Sequence, residues 1–145
     1  MSARVGVDCV LARNTGTYGT PVWNVIQDTR DVTLNLTTDE ADATTRGMGY
    51  KARLATLKDG SVDVDIVANT ASDDYPVLRD GWLNKTVFDL AIADGPLATS
   101  GTQYFRGDHQ LFGFSRKEGL TDAVLVTCPF KLTYSANPPQ FVTVP

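Results

Sequence analysis

The chain has 145 residues, of which 42% are hydrophobic and 21% charged, with a formal net charge of -4. That is the size and balance of one folded domain, which buries roughly 68–70% of its unfolded surface, and it excludes a disordered or low-complexity chain. The acidic excess argues against a protein that grips nucleic acid through a basic surface, but it suits one past which nucleic acid must slide without sticking.

Apolar runs are short, Ala123-Val124-Leu125-Val126 being typical, and none approaches the ~20 residues of a membrane-spanning helix. The start, Met1-Ser2-Ala3-Arg4-Val5-Gly6-Val7-Asp8, lacks the apolar core of a secretory signal, which predicts a chain made in the cytoplasm. Thiols stay reduced there, so Cys9 and Cys128 are expected free, with Cys128 buried in its apolar run.

Along the chain, residues 13–21 are rich in Gly and Thr, and 22–26 form a weak strand candidate. Val32-Thr33-Leu34-Asn35-Leu36 alternates, placing Val32, Leu34 and Leu36 on one face of a strand. Residues 37–50 then show no periodicity; loops longer than ~12–15 residues in a compact domain are usually functional. Residues 52–57 and 62–66 read as paired strands joined at Lys58-Asp59-Gly60-Ser61, whose Asp-Gly is a hairpin signature. In Val62-Asp63-Val64-Asp65-Ile66 both aspartates fall on the face opposite the aliphatics.

Residues 73–83 break the alternation. Tyr75 to Leu78 and Leu78 to Trp82 are helical steps, Asp73 or Asp74 can cap, and Pro76 fits a first turn. Residues 86–93 return to a strand, with Phe88, Leu90 and Ile92 on one face, and stop at Asp94-Gly95-Pro96. Strands follow at 103–107, 110–115 and 123–130. The end, 134–145, carries Asn137-Pro138-Pro139 and an alternating tail, which suits an extended arm. The expected fold is mainly β: an antiparallel β-sandwich or barrel with one short flanking α-helix.

Sites for chemistry are scarce. His109, the single histidine, lies between two strand candidates and reads as a solvated turn residue, since nothing fixes a nucleophile beside it. One His and two distant Cys do not make a zinc site. Asp39, Glu40 and Asp42, or Asp63 and Asp65, lack the spacing of a calcium loop. Carboxylates at i and i+2 of one strand point the same way, which is poor geometry for a glycosidase pair. No catalytic residue, cofactor or metal is expected. Trp23, Trp82, Tyr104 and Phe105 could stack on sugar if exposed, so a carbohydrate-binding β-sandwich is the alternative.

The order of these features along the chain resembles the tail tube proteins of long-tailed bacteriophages. The resemblance is carried by Asn14-Thr15-Gly16-Thr17-Tyr18-Gly19-Thr20-Pro21 before Trp23, by Asp31 to Leu36 followed by Glu40-Ala41-Asp42-Ala43-Thr44-Thr45-Arg46, and by Leu57-Lys58-Asp59-Gly60-Ser61-Val62. It continues through Leu78-Arg79-Asp80-Gly81-Trp82 and the strand after it, Phe114-Ser115-Arg116 with Leu120, and Pro138-Pro139-Gln140-Phe141. It spans nearly the whole chain, though no element is a sharp fingerprint.

The resemblance implies one domain over 1–145, with an N-terminal arm over about 1–21, a long loop over about 37–50 and a C-terminal arm over about 134–145. It implies a structural virion protein of the tail, not an enzyme, forming hexameric rings that stack into a tube. The partners would be further copies, a tape-measure protein, and tail terminator and baseplate proteins, with DNA passing through the lumen unbound. Thr37, Asp39, Glu40, Asp42, Arg46 and Tyr50 would then reach a neighbouring ring, with Arg46 the loop's cation for a salt bridge. Asp63 and Asp65 are candidates for the lumen wall. A phage decoration or baseplate module is a second form of the alternative.

Overall fold

The computed structural model describes residues 3–145. After a 3-10 turn at Gly6–Asp8, the elements are β1 (Val10–Asn14), β2 (Trp23–Val25), β3 (Thr29–Asp42), β4 (Arg53–Val67), α1 (Asp74–Leu83), β5 (Val87–Ala93), β6 (Gln103–Leu111), β7 (Ser115–Lys117), β8 (Leu125–Leu132) and β9 (Gln140–Thr143). All pairings are antiparallel, and the nine strands form one connected sheet. The chain is mainly β with one α-helix, as its patterning predicts.

The sheet has two leaves. One runs β9-β6-β5-β1-β2 and the other β7-β8-β4-β3. They are joined only where His109, Gln110 and Leu111 of β6 pair with Leu132, Lys131 and Phe130 of β8. Because β6 and β8 each change partner along their length, the leaves fold over one another and their inner faces enclose a core. Leu11, Phe88, Leu90 and Leu111 from one leaf meet Val62, Val64, Ile66, Val126, Cys128 and Phe130 from the other. Phe88 and Phe130 cross edge-to-face at 5.9 Å. Aromatic and aliphatic burial of this kind drives the closure.

Helix α1 plugs the open side with Tyr75 and Leu78. Asp73 stands at its N-cap without a side-chain bond; the Asp74 N–H instead donates to Ser72 Oγ at 3.3 Å. Neither aspartate caps as the sequence suggested, and a serine one residue earlier takes that role. Gly81 lies against the Phe88 ring, where a Cβ would sit 2.2 Å from Cζ.

Two expectations are corrected. Lys58-Asp59-Gly60-Ser61 is not a turn: β4 runs straight through it, with Leu36 opposite Gly60 and Thr37 opposite Asp59. Gly60 serves close approach instead, since a Cβ there would meet Leu132 Cδ1 at 2.9 Å and Leu36 Cδ2 at 3.2 Å. Residues 37–50 are not all loop either. β3 continues to Asp42, and the true tip is 43–52.

Replacing Gly81 by Ala sets helix propensity, worth up to ~1 kcal/mol in favour, against overlap with Phe88. Overlap of this size costs ~1–3 kcal/mol, so Gly81→Ala is expected to lower the denaturant midpoint. An unchanged or raised midpoint would show that Phe88 can move aside.

Candidate functional site

Strand β8 covers β4 only from Ser61 to Val67. Beyond that point β3 and β4 continue as a two-stranded ribbon from Leu36 and Gly60 out to Asp42 and Arg53. From Leu36 to Asp42 and from Arg53 to Asp59 the residues along it are exposed on both faces. A register shift between Thr38 and Glu40 gives β4 an extra residue, since Thr38 faces Lys58 while Glu40 faces Ala55; such bulges increase local twist.

Thr37, Asp39, Glu40 and Asp42 lie on the ribbon's β3 strand, and Arg46 and Tyr50 lie in its tip. The tip is braced by its own bonds: Ala43 N–H to Ala52 O at 2.9 Å, and Ala52 N–H to Thr44 Oγ1 at 2.9 Å. Thr44 N–H donates to Asp42 Oδ1 at 2.9 Å. The Thr44 side chain and amide hold the Asp42 carboxyl below the usual carboxylate range. Arg53 approaches Glu40 at 3.6 Å, an exposed pair of the kind that contributes ~0–1 kcal/mol. Arg46 makes no ion pair among the described residues. The ribbon also exposes large apolar side chains: Leu57 (75%), Tyr50 (71%), Leu54 (61%) and Leu36 (47%).

Asp63 and Asp65 point away from the core on β4, opposite the buried Val62, Val64 and Ile66. Asp63 lies between Thr33 and Pro129, and Asp65 between Asp31 and Thr127. Asn35 Nδ2 donates to Asp63 Oδ2 at 3.2 Å, and Thr127 Oγ1 donates to Asp65 Oδ1 at 2.9 Å. With Asp31 beside them, this outer face of the second leaf is polar and carboxylate-bearing, and Lys131 stands opposite Ser61 at one end.

The outer face of the first leaf is built quite differently. Ala12, Ala91, Ala93 and Tyr104 are buried beneath Trp23, Leu97, Val142 and Val144. Arg106 is buried there as well. Its guanidinium donates to Asp89 from Nε (3.2 and 3.1 Å) and Nη2 (2.7 Å), and from Nη2 to Tyr18 O at 2.8 Å. It stacks on the Tyr18 ring at 3.8 Å and lies 5.1 Å from the Trp23 ring centre. Asn14 joins the network, donating to Asp89 Oδ2 at 3.0 Å while its own Oδ1 accepts the N–H of Gly16 and Val22. Gln140 of β9 reaches Tyr18 OH at 3.2 Å. One buried ion pair thus holds the 14–22 segment down, and that segment in turn contacts β9. No local spacing in the sequence signals this, because Tyr18, Asp89, Arg106 and Gln140 come from four separate stretches.

Several of the residues weighed for chemistry are buried in the sheet. His109 is not a solvated turn residue: β6 is one continuous strand and His109 is fully buried in it. Its polar neighbours Asp108 and Gln110 simply face the other way. Cys128 is a free, buried thiol, pushed up to about 12 by burial with help from Asp65, and Cys9 is free and exposed. Tyr104 and Phe105 are buried, and Trp23 meets Tyr104 edge-on at 5.8 Å. Of the four aromatics weighed for sugar stacking only Trp82 is exposed. No group of three metal-ligating side chains gathers among the described residues, and no described helix is long and apolar enough to cross a membrane.

No family model and no curated protein matches the sequence. Solved structures do match the fold. A chain of the SPP1 tail tube superposes with a TM-score of 0.78 at 9% identity, covering 97% of this chain and 80% of that one. A chain from the tail of an empty gene transfer agent particle, reconstructed with C6 symmetry, gives 0.75 at 12% identity and covers 97% and 100%. This protein has the tail tube fold. A chain of the six-fold symmetrised anti-feeding prophage baseplate also matches, with a TM-score of 0.63 at 11% identity over 99% and 98% of the two chains. In this chain the fold carries a projecting ribbon, one polar carboxylate-bearing face, and the 14–22 segment pinned to the other face.

Proposed function

We propose that this chain is a tail tube subunit of a virion: six copies close into a ring, and rings stack into a conduit for the genome. The observation that carries the reading is the ribbon. An isolated two-stranded hairpin is marginally stable in water, yet here one projects past β8 with Leu36, Leu54, Leu57 and Tyr50 exposed. Such a surface fits an element that gains its burial from a neighbouring copy. The six-fold symmetry of the matched tail and baseplate particles supports rings of six.

In this reading Thr37, Asp39, Glu40, Asp42, Arg46 and Tyr50 contact the next ring, with Arg46 free to pair with a carboxylate across the junction. Of the N-terminal arm expected over about 1–21, residues 10–14 instead form β1, paired between β2 and β5, so the segments flanking β1 and the C-terminal arm over about 134–145 are those that brace subunit contacts. The tube would enclose a tape-measure protein and end on terminator and baseplate proteins. The Asp63 and Asp65 face would line the lumen, where like charge keeps the polyanion from adhering. A baseplate module of the same fold is the second reading, favoured only by the baseplate match; it would form rings that do not stack.

Electron microscopy of the purified protein separates the readings. Rings of six and tubes that lengthen with concentration are expected, and Leu54→Lys with Leu57→Lys should abolish tubes. Both side chains are exposed, so the subunit itself should stay within ~0.5 kcal/mol of wild type. A monomer at all concentrations, or tubes unaffected by both lysines, would overturn the assignment of the ribbon. Virions carrying Asp63→Lys and Asp65→Lys should eject DNA more slowly than wild type; unchanged ejection kinetics would remove that face from the lumen.

A further inference from the structure

The single histidine sits where β6 changes partner. Gln103 to Arg106 pair with β9, and His109 to Leu111 pair with β8. The His109 side chain is fully buried, in a row with Phe88 of β5 and Leu132 of β8. Phe105 meets the imidazole edge-on at 6.3 Å and meets Phe141 of β9 at 5.2 Å. Between them Gly107 leaves room for three neighbours: a Cβ there would lie 3.0 Å from Leu132 Cδ2, 3.2 Å from His109 Cε1 and 3.2 Å from Pro139 Cβ. The C-terminal segment is therefore laid against the surroundings of the histidine through Pro139 and Phe141.

The ring has one polar contact. Nδ1 lies 2.8 Å from Gly107 O, and a carbonyl can only accept, so Nδ1 carries the proton of the neutral ring. Nε2 is buried without a partner among the described residues. A second proton would have to go there, creating a buried cation with no acceptor for its new N–H. Burial pushes the imidazole below its ordinary range, against weaker opposing pulls from the Gly107 carbonyl, Asp108 and Asp89.

The groups beside the ring are apolar: Phe88 from β5, Leu132 from β8 and Phe105 from its own strand, with Pro139 over the adjoining Gly107 and Phe141 against the far side of Phe105. On the core side the charges belong to α1, which also packs on β6: Asp74 is paired with Arg13 of β1, and Asp80 with Arg79. The other nearby charges lie on the opposite face of the sheet. There Arg106 holds Asp89, the Ser135 hydroxyl bonds Asp108, and Lys131 stands opposite Gln110.

We propose that His109 is an acid-sensitive release for the C-terminal strand: protonation at Nε2 favours a state in which β9 and residues 134–139 lift from β6 and water reaches the ring. β9 is the element placed to yield. It is four residues long, lies at an edge of the first leaf, and leaves Phe141 68% exposed. Short, exposed edge elements open at low free-energy cost. The lifted state titrates near the ordinary imidazole value of ~6.5, while the docked state holds its neutral ring to lower pH. Docking is therefore fully stabilised above that value. As pH falls below it, docking weakens ~tenfold per pH unit, the slope of one linked proton, until the docked ring itself titrates.

Amide hydrogen exchange between pH 7.5 and pH 5, corrected for intrinsic rates, tests this on the intact chain. The β9 amides should gain an opening constant that rises with the one-proton slope, while β4 and β5 amides hold their protection. The lone imidazole resonance should titrate below its ordinary value. His109→Phe should remove the pH dependence of β9 if it folds; the wild-type measurement stands without it. A β9 opening constant independent of pH, or an equal response in β4 and β5, would overturn the proposal.

Discussion

The β3–β4 pairing reaches further than anything that covers it. β8 accompanies β4 from Ser61 to Val67, and over that stretch one face of β4 packs Val62, Val64 and Ile66 into the core. Past Gly60 the same two strands carry only each other. Cross-strand bonds satisfy their facing backbone groups, but the side chains on both faces and the outer edge of β3 meet solvent. Unpaired strand edges are normally shortened, charged or covered in stable monomers. Here the edge strand is fourteen residues long, and its ribbon partner carries Leu54 and Leu57 in the open. In the proposed assembly this constraint is resolved, because the missing surface would come from further copies of the chain.

The body of the subunit is built to hold that projection steady. Its two leaves are separate sheets except at the short β6–β8 junction, so the core they enclose fixes the angle at which β3 and β4 leave the domain. Gly60 and Gly107 let Leu132 approach from both leaves, at the root of the ribbon and beside His109. On the far face the buried Arg106–Asp89 pair ties the segment after β1 to the sheet and, through Tyr18, to β9. Removing one partner of such a pair leaves an uncompensated charge and costs ~3–5 kcal/mol. The arms are thus held to the body more firmly than their Gly, Thr and Pro content suggests, except at β9.

What the sequence made legible follows one rule: periodicity records a buried face. Val62 to Ile66 and Phe88 to Ile92 each have one face against the core, and each alternates; Val32 to Leu36 alternates too, although only Leu34 packs on the core while Val32 and Leu36 stay exposed. Thr37 to Asp42 is equally a strand, but neither of its faces is buried within the subunit, so it writes no alternation and reads as loop. Asp59-Gly60 carries a turn signature for a different reason, since its glycine is there for the Leu36 and Leu132 side chains. His109 was hidden by flanking Asp108 and Gln110, which belong to the opposite face of an unbroken strand. The Arg106 network and the orphaned Nε2 depend on contacts between distant segments, and no local pattern records those. Asp63 and Asp65 were placed on their shared outward face by alternation alone.

Hydrogen exchange of the ribbon, compared between free subunits and assembled particles, bears most directly on the claim that copies of this chain complete one another. Amides from Leu36 to Asp42 and from Arg53 to Gly60, including those on the outer edge of β3, should pass from fast or intermediate exchange in the monomer to strong protection after assembly. Protection confined to other surfaces, with the ribbon exchanging equally in both states, would contradict it.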